Sequence, residues 1–327
     1  MIPVSIIVLI YNTEQYIERC VVSLFEQTLH DIEYIFVNDC TSDNSIEVLS
    51  EVLERYPERK PYVKIVNHEA NKGSATARNT GLDAATGEYV IYADSDDWIE
   101  SDMLEKLYNK AQQDNADIVW CDFYEEMPHG YKKRKIQAVQ QDKISCIKAL
   151  LVDKMHGSTC NKLVKHSLYT ENGLRFFDGL DLWEDLAMTV RQFFYANKVT
   201  YLPEAFYHYC YNATSILRDP DEVKQEKRLS DIFGNMSEIV EFLQENKSES
   251  VYCKEVNCRK LLAKIVLLNN DPIRWRNAYP EANQYIFSCP TFSWYIKFTE
   301  WLCVHGVMWA PRFKNWIATY VKQLLGK

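Results

Sequence analysis

The run Val4-Ser5-Ile6-Ile7-Val8-Leu9-Ile10 constrains the fold more than any other part of the chain, because it is nearly unbroken in apolar and β-branched residues. A strand with one wet face alternates apolar and polar residues; an unbroken run marks a strand covered on both faces, as in a parallel sheet. The following segment carries Ile17, Cys20, Val21, Leu24 and Phe25 at helical spacing, with Thr13 placed to cap it. The pattern then repeats. Strands are expected at 34–37, 63–66, 89–92 and 118–121, and helices from Ser42, across Ala75 to Ala85 and from Ser101. Strands alternating with helices at this spacing predict a doubly wound α/β sheet.

The chemistry concentrates where these strands end. The first ends in Tyr11-Asn12 and the second in Asn38-Asp39. The fourth runs into Ala93-Asp94-Ser95-Asp96-Asp97-Trp98, with three carboxylates in four residues. Unpaired charges do not continue into a packed sheet interior. They belong in the crevice at the carboxyl ends of the strands, where open α/β sheets bind ligands. Carboxylates gathered there suit a hard divalent cation that also takes oxygens from substrate phosphates, and so point to a metal-bridged nucleotide diphosphate. An acidic turn capping the next helix is the plainer alternative. Asp39 can accept from a ring N–H, Asp94 from ribose hydroxyls, and Asp96 can bind the metal. Asn71-Lys72-Gly73 and Arg78 add positive charge near the anionic ligand, or Arg78 forms an internal ion pair with one of the aspartates.

Taken together these motifs resemble family 2 glycosyltransferases. The strand Val4 to Asn12 follows that family's opening pattern, with Leu9 where proline is usual. Asn38-Asp39-Cys40-Thr41-Ser42-Asp43 follows its acidic turn, and Asn71 to Gly81 its N-x-G-x-x-x-A-R-N-x-G stretch. Asp94 to Asp97 and Trp183-Glu184-Asp185 complete the order. The likeness covers residues 1–215. It implies a GT-A type, Rossmann-like mixed sheet flanked by helices, followed by a helical extension over 216–327. Within the catalytic domain, 1–122 would bind the nucleotide-sugar and 123–215 the acceptor.

The resemblance also implies the reaction: inverting transfer from a UDP-sugar with manganese or magnesium. The acceptor would be a glycan or lipid-linked molecule in polysaccharide biosynthesis. Asp185 becomes the base, with Glu184 beside it. Ile10, Tyr11, Asn12, Glu14, Asp39, Asn71, Lys72, Gly73, Arg78, Asp94, Ser95 and Asp96 become the donor site, and Asp96 with His208 the metal ligands. Without that context, Glu184-Asp185 would read as an acidic first turn of a helix. His208 would read as a structural histidine between aromatics, and Lys162 as either a substrate contact or a surface lysine.

Other readings narrow the alternatives. A nucleotidyltransferase would be expected to carry a glycine-rich phosphate loop after the first strand, where this chain has Tyr11-Asn12-Thr13-Glu14. A non-catalytic sugar-nucleotide-binding protein would not need the intact acidic set. The net charge of −9 opposes nucleic-acid binding. Ten scattered cysteines without a Cys-x-x-Cys predict reduced thiols in a cytoplasmic protein. No signal peptide and no membrane span is expected.

Met127 to Gln141 is polar and basic, read as a solvated hairpin or, alternatively, a binding patch. The end of the chain, 292–327, interleaves Trp294, Trp301, Trp309 and Trp316 with Lys297, Arg312, Lys314, Lys322 and Lys327. It suits either peripheral docking on the cytoplasmic face of a membrane or packing on its own domain or a subunit partner in a homo-oligomer.

Overall fold

The structure, a computed structural model, describes residues 2–127, 130–212 and 220–312. Its first half follows the alternation of the sequence: β1 (Val4–Ile10), α1 (Ile17–Phe25), β2 (Glu33–Asn38), α2 (Ser45–Arg55), β3 (Val63–Asn67), α3 (Ser74–Ala84), β4 (Tyr89–Asp94), β5 (Trp98–Ile99) and α4 (Met103–Asp114). β1 is central, and both its neighbours, β2 and β4, run parallel to it. Its apolar run is unbroken because both faces are covered: Val4, Ile6, Val8 and Ile10 share a core with α1, while Ile7, on the opposite face, lies against Gly81 of α3. The five apolar residues spaced along α1 are buried together against this sheet. Thr13 does not cap α1 with its side chain; its carbonyl accepts from the amides of Tyr16 and Ile17 at 2.8 and 2.9 Å. α2 starts at Ser45 rather than Ser42: Asp43 Oδ1 accepts from the Ser45 amide at 3.1 Å in an Asx-turn just ahead of the helix, and the N-cap Asn44 makes no side-chain cap.

The second half departs from simple alternation. β6 (Ile118–Glu126), β7 (Lys132–Lys135), α5 (Lys143–Leu151), β8 (Lys162–Lys165), α6 (His166–Glu171), α7 (Glu184–Tyr195) and β9 (Val199–Cys210) complete a nine-stranded mixed sheet of order β3-β2-β1-β4-β8-β6-β9-β5, with β7 paired to β6. β8 runs antiparallel to both β4 and β6, while β6 and β9 are parallel. Within the basic 127–141 segment, β7 pairs antiparallel with β6. Lys132, Arg134 and Lys135 of β7 pair with Glu126, Asp122 and Glu125 of β6. These charges serve strand pairing.

The chain divides into two compact units, one of 1–150 and 154–231, the other of 151–153 and the residues from 232 on. The division falls inside α8 (Glu222–Glu245). The second unit continues with α9 (Glu249–Lys264), α10 (Leu267–Asn270), α11 (Pro272–Asn277), a 3-10 segment Pro280–Ser288 and α12 (Trp294–Val304). Trp316, Lys314, Lys322 and Lys327 lie outside the described residues. All ten cysteines are free thiols. Among the described residues no helix is long and apolar enough to cross a membrane.

Candidate active site

Sheet register builds the site. Leu9 pairs with Asp94 across β1 and β4, Ile10 with Asn38 across β1 and β2, and Asn38 with Asn67 across β2 and β3. The polar residues that end these strands therefore stand along one edge. After Ile10, which is buried, Tyr11 is 45% exposed and Asn12 turns the chain at φ 54°. Asn12 Oδ1 accepts from Ser42 Oγ at 3.2 Å, and Glu14 Oε2 accepts from the amide of Asn44 at 3.0 Å, so the first two loops are laced together.

Asp39 is buried and organises the third loop. Its carboxylate accepts from the amides of Lys72 at 2.9 Å and Gly73 at 3.0 Å, and lies 2.7 Å from His68 Nδ1. His68 Nε2 lies 2.9 Å from Thr80 Oγ1 on α3. Asn71 and Lys72 are exposed at the rim.

Arg78 is the centre of the arrangement. It is buried on α3, yet its guanidinium faces three carboxylates from two distant segments. Asp94 lies at 3.3 Å, Asp185 at 3.4 Å and Glu184 at 3.7 Å. Thr159 Oγ1 accepts from the guanidinium at 3.3 Å and donates to Asp185 at 3.2 Å. Tyr92 and Phe176 present their ring faces at 5.3 and 5.7 Å. Burial works against the cation, but Asp185, Asp94 and Glu184 outweigh it and hold the pKa of Arg78 above its ordinary value.

One cation does not neutralise three acids. Burial pushes the Asp94 carboxyl up to about 6, with Arg78 opposing and Asp185 and Asp96 adding to the rise. Burial and the adjacent Asp185 push Glu184 up to about 8, again against Arg78. The site is thus short of positive charge, and it can take up a proton or a cation.

The acidic segment divides its labour. Asp94 faces Arg78. Ser95 is buried. Asp96 is half-buried and accepts from Asn212 Nδ2 at 2.9 Å. Asp97 points inward, accepting from Tyr207 OH at 2.7 Å and the Cys210 amide at 2.7 Å. Burial and the charges of Asp96 and Asp94 raise its pKa. It ties β9 to the acidic turn and is structural.

Sequence reasoning missed a strap across α3. Gly73, the N-cap, has no side chain to cap with. Instead Asp181 Oδ1 accepts from the Ala75 amide at 3.0 Å, Asp178 accepts from Thr76 Oγ1 at 3.0 Å, and Glu184 accepts from Ser74 Oγ at 3.1 Å. The φ of Gly73, +86°, favours glycine, and a Cβ there would push the Asp181 carboxylate away from the Ala75 amide. The spacing of Asp178, Asp181 and Glu184 was the available signal, but their partners lie about a hundred residues away in sequence.

His208 is placed differently. Its ring nitrogens lie 2.9 Å from Glu126 and 2.9 Å from Glu100, and its ring stacks on Trp98 with centroids 3.5 Å apart. Burial holds its pKa below the ordinary imidazole value. Lys162 is buried rather than on the surface. It donates to the carbonyls of His156 and Ser158 and to Asn161 Oδ1 at 2.6 to 2.9 Å, and burial pushes it down to about 8.

Among the described residues, no three His, Cys, Asp or Glu side chains gather to hold a metal ion by themselves. A cation at Asp96 fits the residues present if substrate phosphates and water complete its shell, which is how magnesium is usually bound.

Known proteins agree with this architecture. The family model described as "Glycosyl transferase family 2" matches residues 5–173. The putative glycosyltransferase EpsH of Bacillus subtilis (strain 168) is 34% identical, over 82% of this chain and 77% of that protein. The crystal structure of S. aureus TarS 1–349 in complex with UDP-GlcNAc superposes with a TM-score of 0.69 at 19% identity, covering 95% of this chain and 89% of that one. The mannosyltransferase PcManGT from Pyrobaculum calidifontis, in complex with GDP-Man and Mn2+, superposes with a TM-score of 0.52 at 16% identity, over 99% of this chain and 87% of that one. The structural likenesses carry the fold, which is GT-A.

Proposed function

This chain belongs to glycosyl transferase family 2, and we propose that it transfers a sugar from a UDP-sugar to a hydroxyl of a glycan or lipid-linked acceptor, with inversion at the anomeric carbon. The catalytic domain in this reading is 1–215, with donor binding in 1–122 and acceptor binding in 123–215. The observation that carries the reading is the convergence of Asp94, Glu184 and Asp185 on the buried Arg78 at the carboxyl edge of the sheet.

Asp185 is the base. It removes the acceptor hydroxyl's proton as that oxygen attacks the anomeric carbon. The bond from that carbon to the diphosphate breaks, and UDP leaves with the electron pair. A positioned base contributes ~10²–10⁴-fold to such a step. Thr159 and Arg78 hold the Asp185 carboxylate in place. Glu184, raised in pKa and bonded to Ser74, is the partner that keeps its proton. The loops led by Asn12, Asp39 and Asn71 enclose the nucleotide, with Lys72 at the rim. Asp96 would hold manganese or magnesium, which when bound neutralises charge on the departing diphosphate.

A panel of UDP-sugars, each with and without manganese, tests this by thermal shift, since a ligand that binds only the native state raises its apparent stability. The preferred donor should raise Tm, and should be turned over. Asp185→Asn should then abolish transfer while keeping UDP affinity within about threefold, because the substitution removes only the proton-accepting charge. Transfer at the normal rate by that variant removes Asp185 from its role. A flat panel ends the donor assignment.

A further inference from the structure

α12 is turned inside out. A helix on a soluble unit normally buries its apolar stripe and exposes polar residues. Here the buried residues are Thr299, Glu300 and Cys303. The exposed ones are Trp294 (66%), Tyr295 (77%), Phe298 (46%) and Trp301 (38%), which recur along one helical face. Phe287, at 46% exposure, extends the patch by packing on Trp294 with ring centroids 5.6 Å apart. A contiguous exposed aromatic patch marks an interaction site, whereas single exposed apolar residues need no explanation.

The charge of the sequence from 282 on is equally uneven. Residues 282–327 contain five basic residues, Lys297, Arg312, Lys314, Lys322 and Lys327, and a single acid, Glu300, in a chain whose formal net charge is −9. Glu300 is fully buried, where its charge acts on Lys264. Among the described residues 282–312, Lys297 is partly exposed, Arg312 is exposed and no carboxylate is, so the outward side of α12 and the turn after it combines aromatic faces with cations. The rest of the molecule is strongly acidic.

We propose that the outward face of α12 docks the protein on an anionic lipid bilayer. Tryptophan and tyrosine suit the headgroup region, because their rings are apolar and their N–H and O–H groups stay hydrated. A basic surround adds attraction to acidic headgroups. With eleven residues the helix is about 16 Å long, too short to span and suited to lying in the interface plane. A second copy of the chain is the competing occupant. Two such faces would bring like charges together, so the local excess of cations favours the lipid. The inference stands apart from the sugar-transfer reading and fails or holds independently of it.

The test is co-sedimentation of the full chain with phosphatidylcholine vesicles, and with vesicles in which a third of the lipid is phosphatidylglycerol. The anionic vesicles should capture the protein at least ~10-fold better, and that capture should weaken several-fold between 0.1 and 0.5 M salt. Replacing Trp294, Tyr295, Phe298 and Trp301 together by serine should cut partitioning by ~10-fold or more through lost apolar burial. Lys297→Glu with Arg312→Glu should abolish the preference for anionic vesicles. Circular dichroism of each variant should match the parent, since the changed groups face outward. Failure of both vesicle types to bind the parent overturns the proposal. So does a concentration-dependent dimer in sedimentation velocity that the serine variant disrupts while its vesicle binding is unchanged.

Discussion

Arg78 and His208 are both buried and both surrounded by carboxylates, yet they end up in opposite states. Arg78 faces Asp94, Glu184 and Asp185, and the pKa values of Asp94 and Glu184 rise because one cation is shared among three acids. His208 sits between Glu100 and Glu126, with Lys132 3.2 Å from Glu126 to balance the charge and Trp98 and Tyr124 stacked on its two sides. The first cluster is left with unmet negative charge. In the second, Lys132 at 3.2 Å and Arg19 at 3.7 Å from Glu126 match the two carboxylates with two cations. A buried polar cluster that is fully partnered serves the fold; one left short of a cation at a ligand-binding edge is equipped for chemistry.

Removing the centre of the first cluster should have the largest effect. Arg78→Met leaves three carboxylates without their cation and should cost ~3–5 kcal/mol of stability, as breaking a buried ion pair does. Transfer should fall below detection. Equilibrium denaturation and initial-rate assays read the two effects, and Arg78→Lys should recover part of the stability because it restores the charge. Normal transfer by Arg78→Met would dissolve the contrast between the clusters.

Glu184→Gln should act through pH. An ordinary glutamate loses its proton near 4.5, whereas in the fold Glu184 keeps it up to about 8. The native state thus binds the extra proton within this window, and stability is full below it and erodes as pH rises through it. Glutamine has no proton to lose. The variant should therefore gain ~1–2 kcal/mol on the parent between pH 5 and pH 8, a discounted fraction of the value of such a shift. Parallel stability curves for the two proteins across that range would show that Glu184 is not held protonated.

His208→Asn should be the mildest for transfer. Loss of the stacked ring and one carboxylate contact should cost ~1–3 kcal/mol, the size of a lost buried hydrogen bond with its aromatic contact. The manganese concentration needed for half-maximal transfer should stay put. A several-fold rise in that concentration would return the ring to the metal site.

Much of this was legible from local pattern. The period of Ile17 to Phe25 describes the buried face of α1, and the unbroken run of β1 describes a strand covered on both faces. Burial and periodicity are consequences of side-chain spacing, which sequence displays directly. The reversal of β8 against β4 and β6 was not legible, because strand direction depends on which partners meet after the chain has folded back. The strap of Asp178 and Asp181 over α3 was hidden for the same reason. The aromatic residues of 292–327 were visible as a stripe, but only the packing of Thr299, Glu300 and Cys303 shows which way the stripe faces.

By itself, the order of residues determined the class of sheet, the helices beside its first strands and the acidic groups that end those strands, since each is set by neighbours a few residues apart. Tertiary structure decided which acids share a cation and which are buried as ties. Asp94 and Asp97 are three residues apart and identical in kind, yet one opens onto Arg78 and the other is sealed against Tyr207 and Cys210. The energy of a charge depends on the dielectric and the partners around it, and those are assembled from segments far apart in the chain.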